Sequence, residues 1–114
     1  MIEVIRGNVP AKANNYKISR GRMYKYRSVK DYELMFKVQC RKYRYKKIDK
    51  PFKLTIDVYF SNPKSDLDNA LKTVLDCLQS SEAITNDNLC FQIKAKKFID
   101  KKNPRIAYCI EVIE

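Results

Sequence analysis

The sequence contains no histidine among its 114 residues. This absence excludes a Ser-His-Asp triad, a Cys-His pair and any zinc site that uses an imidazole ligand. It also excludes nucleases whose active centre combines a histidine with a metal ion. An enzyme built from this chain must therefore work with carboxylates, lysines, tyrosines and a hard cation.

Long apolar runs are missing as well. No stretch approaches the ~18 residues typical of a membrane span, and the N-terminus lacks the basic and apolar regions of a secretory signal. No two cysteines are spaced as C-x-x-C, and each lies in apolar or amphipathic sequence. They are Cys40, Cys77, Cys90 and Cys109. We therefore expect a single cytoplasmic domain over residues 1–114 with buried, reduced thiols and no membrane partner.

Positive charge is present in large excess and is concentrated in one part of the chain. The net charge is +11, and residues 12–50 hold 14 of the 24 lysines and arginines against only Asp31, Glu33 and Asp49. Six of the eight tyrosines lie in the same segment. They are Tyr16, Tyr24, Tyr26, Tyr32, Tyr43 and Tyr45. Basic groups interleaved with aromatic rings favour nucleic acid as the partner, the alternative being a solvated lysine-rich face.

The first half of the chain predicts a strand, a loop and a helix. "MIEVIR" is a short strand, and "GNVPAKANN" is a loop punctuated by glycine and proline. Residues 16–27 are compatible with a short hairpin around Gly21 or with a basic loop. Ser28 and Asp31 approximate a capping box, and the apolar spacing that follows predicts a helix over residues 29–46.

The second half predicts a strand, a helix and two further strands. "PFKLTIDVYF" alternates strictly between apolar and polar residues, and Leu67, Leu71, Val74, Leu75 and Leu78 repeat at helical spacing. "LCFQIKAKKFI" and "RIAYCIEVI" follow, separated by a turn, and are expected to form an antiparallel hairpin. The predicted order is β-loop-α-β-α-β-β, an α+β domain in which helices cover one face of a mixed sheet.

Three aspartates occupy positions where chemistry is plausible. Asp66 and Asp68 begin the second helix, and Asp87 directly precedes the next strand. One explanation is purely structural, because Ser65 and Asp68 approximate a capping box and acidic groups favour a helix N-terminus. The other is a metal site, since clustered carboxylates tolerate one another around a cation and oxygen ligands favour Mg²⁺ or Mn²⁺. Lys72, four residues after Asp68, is either its intrahelical partner or a cation for a scissile phosphate.

The combination of these motifs resembles the RusA family of Holliday-junction resolvases. The matching segments are "SDLDNALK", "ITNDNL" about twenty residues later, and the basic N-terminal segment with its Pro-x-x-x-Asn loop. The resemblance implies a Mg²⁺-dependent homodimer that resolves four-way DNA junctions in recombination and repair by paired symmetric nicks. One departure is Asn86, which stands where many relatives carry the first of two adjacent acids.

The resemblance also implies roles for individual residues. Asp66, Asp68 and Asp87 would be catalytic metal ligands, Lys72 would be a catalytic basic group near the scissile phosphate, and Asn69 would position the helix start or a phosphate. No small-molecule cofactor is expected. Candidate DNA contacts in the loop region are Lys12, Lys17, Arg20, Arg22, Lys25 and Arg27, followed by Arg41, Lys42 and Arg44. The competing functions are a non-catalytic DNA- or RNA-binding module and a basic protein that binds an acidic protein partner.

Overall fold

The computed structural model describes the backbone of residues 1–10 and 19–113, and the side chains of residues 1–10 and 29–113. Four strands form one sheet in the order β1-β4-β2-β3. The elements are β1 (Glu3–Arg6), α1 (Ser19–Gln39), β2 (Phe52–Phe60), α2 (Leu67–Ser80), a 3₁₀ turn (Asp87–Leu89), β3 (Cys90–Ile99) and β4 (Arg105–Val112). The predicted α+β class and the predicted order of elements are confirmed.

Strand β2 carries the core of the sheet. Its residues alternate between buried and half-buried along the whole strand, so that Phe52, Ile56 and Phe60 all face the helices. Helix α1 reaches this layer through Phe36, whose ring stacks on Tyr108 of β4 at a centroid distance of 6.0 Å. The alternation seen in the sequence therefore predicts both the strand and the face on which the core is built.

The predicted hairpin between the last two strands is wrong. Strand β3 pairs in parallel with β2, and β4 pairs antiparallel with β2 on its other side. The connection between β3 and β4 crosses the end of β2, where the Asp100 N–H donates to the Phe60 carbonyl at 2.8 Å. Helix α2 is the crossover that returns the chain parallel to β2. Both edges of β2 are therefore paired, one with β3 and the other with β4.

The bounds predicted for the first helix are also wrong. Helix α1 begins at Ser19 and ends at Gln39, so residues 19–27 are helical rather than a hairpin or a loop, and Ser28 lies inside the helix instead of capping it. Residues 16–18 lie outside the described part. A single glycine at position 21 costs only about 1 kcal/mol, which a continuous helix tolerates. The helix ends early because residues 40–46 turn back, with Tyr45 at a φ of 65°.

The cysteines behave largely as their sequence context indicates. All four are free thiols; Cys40 and Cys77 are buried, whereas Cys90 and Cys109 are half-buried. The Cys40 sulfur lies 3.2 Å from the Tyr108 hydroxyl, and burial raises the pKa of the Cys40 thiol. Within the described part of the chain, no helix is long and apolar enough to cross a membrane.

Candidate catalytic site

Asp66 caps the N-terminus of helix α2. Its backbone is extended, with φ −101° and ψ 120°, and its Oδ1 accepts a hydrogen bond from the Asp68 N–H at 3.0 Å. The predicted capping box between Ser65 and Asp68 is therefore wrong, because the helix begins one residue later than that pattern requires. Aspartate is among the best N-cap residues, and here its carboxylate takes this role directly.

The first turn of α2 gathers the motif residues on an accessible surface. The Asn69 side-chain amide lies 3.4 Å from the second carboxylate oxygen of Asp66, so it helps to orient that group. Asp68 and Lys72 are both exposed. Among the side chains that the structure describes, none donates a hydrogen bond to the Asp68 carboxylate. Two carboxylates and an ammonium group one turn further along thus face solvent near the positive end of the helix.

Lys97 of β3 supports the loop that leads into this site, and the sequence analysis missed it. Its Nζ donates to the carbonyl oxygens of Pro63 at 2.8 Å and Ser65 at 2.6 Å. The residue is exposed, yet these two bonds tie β3 to the segment immediately before Asp66. The signal in the sequence was the alternation of β3, which places this lysine on the same face as Ile93 and Ala95.

The described part of the N-terminal loop lies beside the same site. The Asn8 side chain accepts a hydrogen bond from the Ser61 N–H at 3.0 Å, just after β2. The Pro10 carbonyl oxygen lies 3.4 Å from the Thr73 hydroxyl of α2. Through this contact the described part of the loop, up to Pro10, reaches the first two turns of the helix that carries Asp66 and Asp68.

Asp87 lies at the other end of helix α2. Its N–H donates to the Gln79 side chain at 2.9 Å, while the Asn86 side chain accepts from the Asn88 N–H at 2.9 Å. Asp68 and Gln79 are eleven residues apart on one helix, a separation of about 16 Å along its axis. The parallel pairing of β2 with β3 explains this, because it returns the start of β3 to the opposite end of the sheet from the end of β2.

The carboxylates present at the start of α2 suit a hard cation. Mg²⁺ in proteins is commonly held by one or two carboxylates, with waters and substrate phosphates completing its shell. Asp68 and the second oxygen of Asp66 supply such donors, since neither is tied to the backbone. Across the described residues, no three acidic or thiol side chains lie close enough together to hold one ion. A single chain therefore offers a two-carboxylate site from which Asp87 is separate.

The candidate DNA contacts are only partly described by the structure. Lys12 and Lys17 lie outside the described residues, whereas Arg20, Arg22, Lys25 and Arg27 belong to α1 without described side chains. Further along, the Lys42 ammonium donates to the Ile2 carbonyl at 2.5 Å and the Arg44 guanidinium donates to the Lys37 carbonyl at 3.1 Å. These two side chains thus make contacts within the fold, while Arg41 is exposed.

Comparison with known proteins identifies the family of the chain. The chain matches none of the curated proteins with which it was compared. A family model described as Endodeoxyribonuclease RusA matches residues 7–111, nearly the whole chain, including both the α2 motif and Asp87. The chain therefore belongs to the RusA family of endodeoxyribonucleases.

Proposed function

We propose that this nuclease resolves four-way DNA junctions by Mg²⁺-dependent, paired symmetric nicking in DNA recombination and repair. The observation that carries the proposal is the pair of accessible carboxylates, Asp66 and Asp68, at the start of α2 with Lys72 one turn away. The basic segment of residues 12–50 supports it, because a net charge of +11 suits a substrate where several phosphodiester backbones converge.

The contacts of each residue indicate its proposed role in the reaction. Asp68 and the second oxygen of Asp66 would hold the ion, and Asn69 would keep the Asp66 carboxylate in place. Lys72 would lie against the scissile phosphate and offset the negative charge that develops in the transition state. When bound, Mg²⁺ supplies Lewis-acid chemistry, which polarises a phosphoryl oxygen and lowers the pKa of an attacking water. The products would carry a 5′-phosphate and a 3′-hydroxyl.

Symmetric nicking requires two active sites. A four-way junction has approximate two-fold symmetry, and a C₂ homodimer presents two identical sites related by the same symmetry. The proposed functional unit is therefore a homodimer whose two basic segments together form one broad DNA-binding surface. The dimer would place one site at each of the two strands that are cut.

The test incubates the purified protein with a synthetic four-way junction in the presence and absence of Mg²⁺. We expect paired nicks at symmetric positions with Mg²⁺ and none with EDTA, whereas junction binding should survive EDTA. A linear duplex of the same sequence is the matched control and should remain uncut. Binding without any nicking in Mg²⁺ or Mn²⁺ would instead identify a non-catalytic nucleic-acid-binding module.

A further inference from the structure

One face of the sheet carries no helix among the described elements. Along β2, the residues that alternate with the buried core, from Lys53 to Tyr59, are each half-buried. On the neighbouring strand β3, Lys94, Lys96 and Phe98 are exposed. The register of the β2–β3 pair places both sets of side chains on the same side of the sheet. This surface of β2 and β3, the helix-free face, is therefore accessible to a ligand from solvent.

Three flat groups are stacked across the helix-free face. The Tyr59 and Phe98 rings are parallel to within 16°, and their centroids are 4.8 Å apart. On the other side of Tyr59, the Arg105 guanidinium lies 3.8 Å from the ring centroid. The register explains this order, since Tyr59 stands opposite Arg105 of β4 and opposite Phe98 of β3. Three strands thus build one continuous stack of planar groups.

This stack is closed at one end and open at the other. The Arg105 guanidinium donates to the Asp100 carboxylate at 3.0 Å and to the Asn103 carbonyl at 2.9 Å, which holds it in place. Phe98 belongs to the edge strand of the sheet and is 39% exposed. One face of its ring lies on Tyr59, so the other face is directed beyond the edge of the sheet. A nucleobase has a flat π-face that stacks on such a ring.

Two lysines of β3 are free to bind an external anion. Lys94 and Lys96 are exposed, and within the described part of the chain neither ammonium group forms a hydrogen bond or an ion pair. Lys97 differs, because its ammonium is bound to the loop before α2. Lys94, Lys96 and Phe98 follow one another along one side of the strand at intervals of about 6.6 Å. Neighbouring phosphates of an extended single strand have a comparable spacing.

Positive charge predominates around these two lysines. Lys53 of β2 lies on the same face, and the carboxylate of β2 on this face is that of Asp57, which stands beside Lys96 in the ladder. Among the described side chains, no ion pair joins Asp57 to either neighbouring lysine. Three lysines against one aspartate on β2 and β3 attract a polyanion.

Structural roles alone do not explain this surface. Lysines on an edge strand oppose pairing with another chain, but that role needs only charge and gives no reason for the exposed ring of Phe98 beside them. A cross-strand aromatic pair stabilises a sheet, which accounts for the contact with Tyr59 but not for the uncovered outer face. A row of free cations that leads to an exposed aromatic ring is instead typical of surfaces that bind single-stranded nucleic acid.

We propose that the helix-free face binds single-stranded DNA, with one base stacked on the outer face of Phe98 and the phosphates lying along Lys94 and Lys96. DNA rather than RNA is the ligand, because the family to which the chain belongs consists of endodeoxyribonucleases. Duplex DNA does not fit this site, since its base faces are covered by neighbouring base pairs except at the ends.

The single-strand site lies close to the candidate catalytic site. Lys97, the neighbour of Phe98, donates to the Ser65 carbonyl at 2.6 Å, and Asp66 is the next residue of the chain. A branched substrate with an unpaired arm therefore places that arm beside the strand that is nicked. This consequence rests on the proposed function, whereas single-strand binding itself does not.

Fluorescence anisotropy in EDTA tests binding apart from nicking. The probes are a labelled oligo(dT) of about 10 nucleotides, within the range of known site sizes, and a duplex of the same length. Phe98→Ala should weaken single-strand binding by roughly fivefold or more and leave duplex binding unchanged. Phe91→Ala removes a ring that is 69% exposed at the other end of β3, and this matched control should bind as wild type does. Equal affinities of the two variants for oligo(dT), or tighter binding of an oligo(U) RNA, would overturn the proposal.

The salt dependence of oligo(dT) binding tests the lysines. Each phosphate contact on a single strand contributes about 0.7 to the slope of log affinity against log salt, so Lys94→Gln/Lys96→Gln should reduce the slope by about 1.4. Lys46→Gln/Lys50→Gln removes the same charge from exposed positions before β2 and is the control. An equal reduction in both double variants would show that net charge, rather than this face, governs single-strand binding.

Photo-cross-linking locates the stacked base. An oligonucleotide that contains 5-iodouracil is irradiated with the full-length protein, and mass spectrometry should find the adduct on the peptide that contains Phe98. Phe98→Leu keeps an apolar side chain without a ring, so it should fold as wild type does and lose this adduct. Cross-links confined to residues 19–45 would overturn the proposal, because the basic segment alone would then bind the single strand.

A second copy of the chain is the alternative occupant of the open ring face. We expect Phe98→Leu to sediment as wild type does. Dissociation of a wild-type dimer by this substitution, without any loss of oligo(dT) affinity, would overturn the proposal and assign the ring to an interface between copies. Single-strand binding at Phe98 by a wild-type protein that nicks no junction would refute only the nuclease function.

Discussion

The Asp66 carboxylate accepts a hydrogen bond from the Asp68 N–H at 3.0 Å, so the same side chain begins helix α2 and borders the proposed metal site. Only one of its oxygens accepts a hydrogen bond from the helix backbone. The other oxygen lies 3.4 Å from the Asn69 side-chain amide. Capping and metal binding therefore do not compete for the same atom. The two roles also depend on different properties, because a cap needs an oxygen acceptor whereas a hard cation needs a negative charge.

Substitutions of Asp66 should separate these two roles. Asp66→Asn keeps an excellent N-cap and should leave the melting temperature almost unchanged, yet it should abolish junction nicking because the charge is lost. Asp66→Ala should lose nicking and also about 1 kcal/mol of unfolding free energy, with a lower melting temperature. Thermal unfolding and a nicking assay of both variants measure the two effects. Nicking by Asp66→Asn at the wild-type rate would remove this residue from the metal site.

Lys72 should affect the chemical step rather than the fold. Its ammonium is exposed one turn from Asp68, so Lys72→Met should cost little stability but should lower the single-turnover nicking rate by roughly 10²-fold, as expected for a group that stabilises transition-state charge. Lys64→Met, which also removes an exposed positive charge near the helix start, is the control and should change the rate by less than about twofold. A similar loss in both variants would indicate that Lys72 contributes only to the general attraction of DNA.

The elements that the sequence predicts well are those determined by local pattern. The alternation of β2 and the leucine spacing of α2 each fix an element and its buried face without reference to the rest of the chain. The extent of α1 was predicted poorly, because Ser28 resembles a cap and Gly21 resembles a turn when they are considered apart from the helix around them. Helix formation is cooperative, so extending an existing helix is more favourable than ending it at a local cap or turn residue.

The position of Asp87 could not be predicted, because it depends on pairing between distant segments. A hairpin of β3 with β4 and a parallel pairing of β3 with β2 are both compatible with the strand sequences. Only the second occurs, and it places Asp87 a helix length away from Asp68. The motif therefore identifies Asp87 as a candidate residue without indicating where the fold places it.

Two buried tyrosines should respond in opposite ways to loss of their hydroxyl groups. The Tyr32 hydroxyl is buried without a hydrogen-bond partner among the described residues, so Tyr32→Phe should leave the unfolding free energy unchanged or raise it by about 1 kcal/mol. The Tyr43 hydroxyl donates to the Met1 carbonyl at 2.7 Å and accepts from the Ile110 N–H at 3.1 Å. Tyr43→Phe should therefore lower the unfolding free energy by about 1–2 kcal/mol. Urea unfolding measures the change in both variants. Equal destabilisation would contradict the conclusion that the Tyr43 hydroxyl is hydrogen-bonded and the Tyr32 hydroxyl is not.

Stability should decline at alkaline pH. Burial raises the pKa of the Tyr108 phenol well above its usual value of 10.0, and the hydrogen bond with Cys40 acts in the same direction. The folded state therefore favours the neutral phenol. The contribution of this phenol to the unfolding free energy is complete below about pH 10, and it is lost as the pH rises further, because the phenol then ionises in the unfolded chain. Urea unfolding between pH 7 and 11 should show a flat region and then a fall. The unfolding free energy of Tyr108→Phe should fall less than that of wild type over this pH range. An identical fall would show that the Tyr108 phenol does not cause the pH dependence.

Salt should weaken junction binding steeply, because the whole net charge of +11 lies in residues 12–50. Each phosphate contact contributes about 0.9 to the slope of log affinity against log salt, so several contacts predict a loss of roughly 10³-fold or more between about 50 and 200 mM. The double variant Arg20→Gln/Arg22→Gln should reduce the slope by about 2 if both side chains contact phosphates. Lys101→Gln/Lys102→Gln removes the same charge from the exposed turn before β4, remote from this segment in sequence, and is the matched control. An equal change of slope in the two variants would show that attraction by net charge, rather than contact by the basic segment, governs binding.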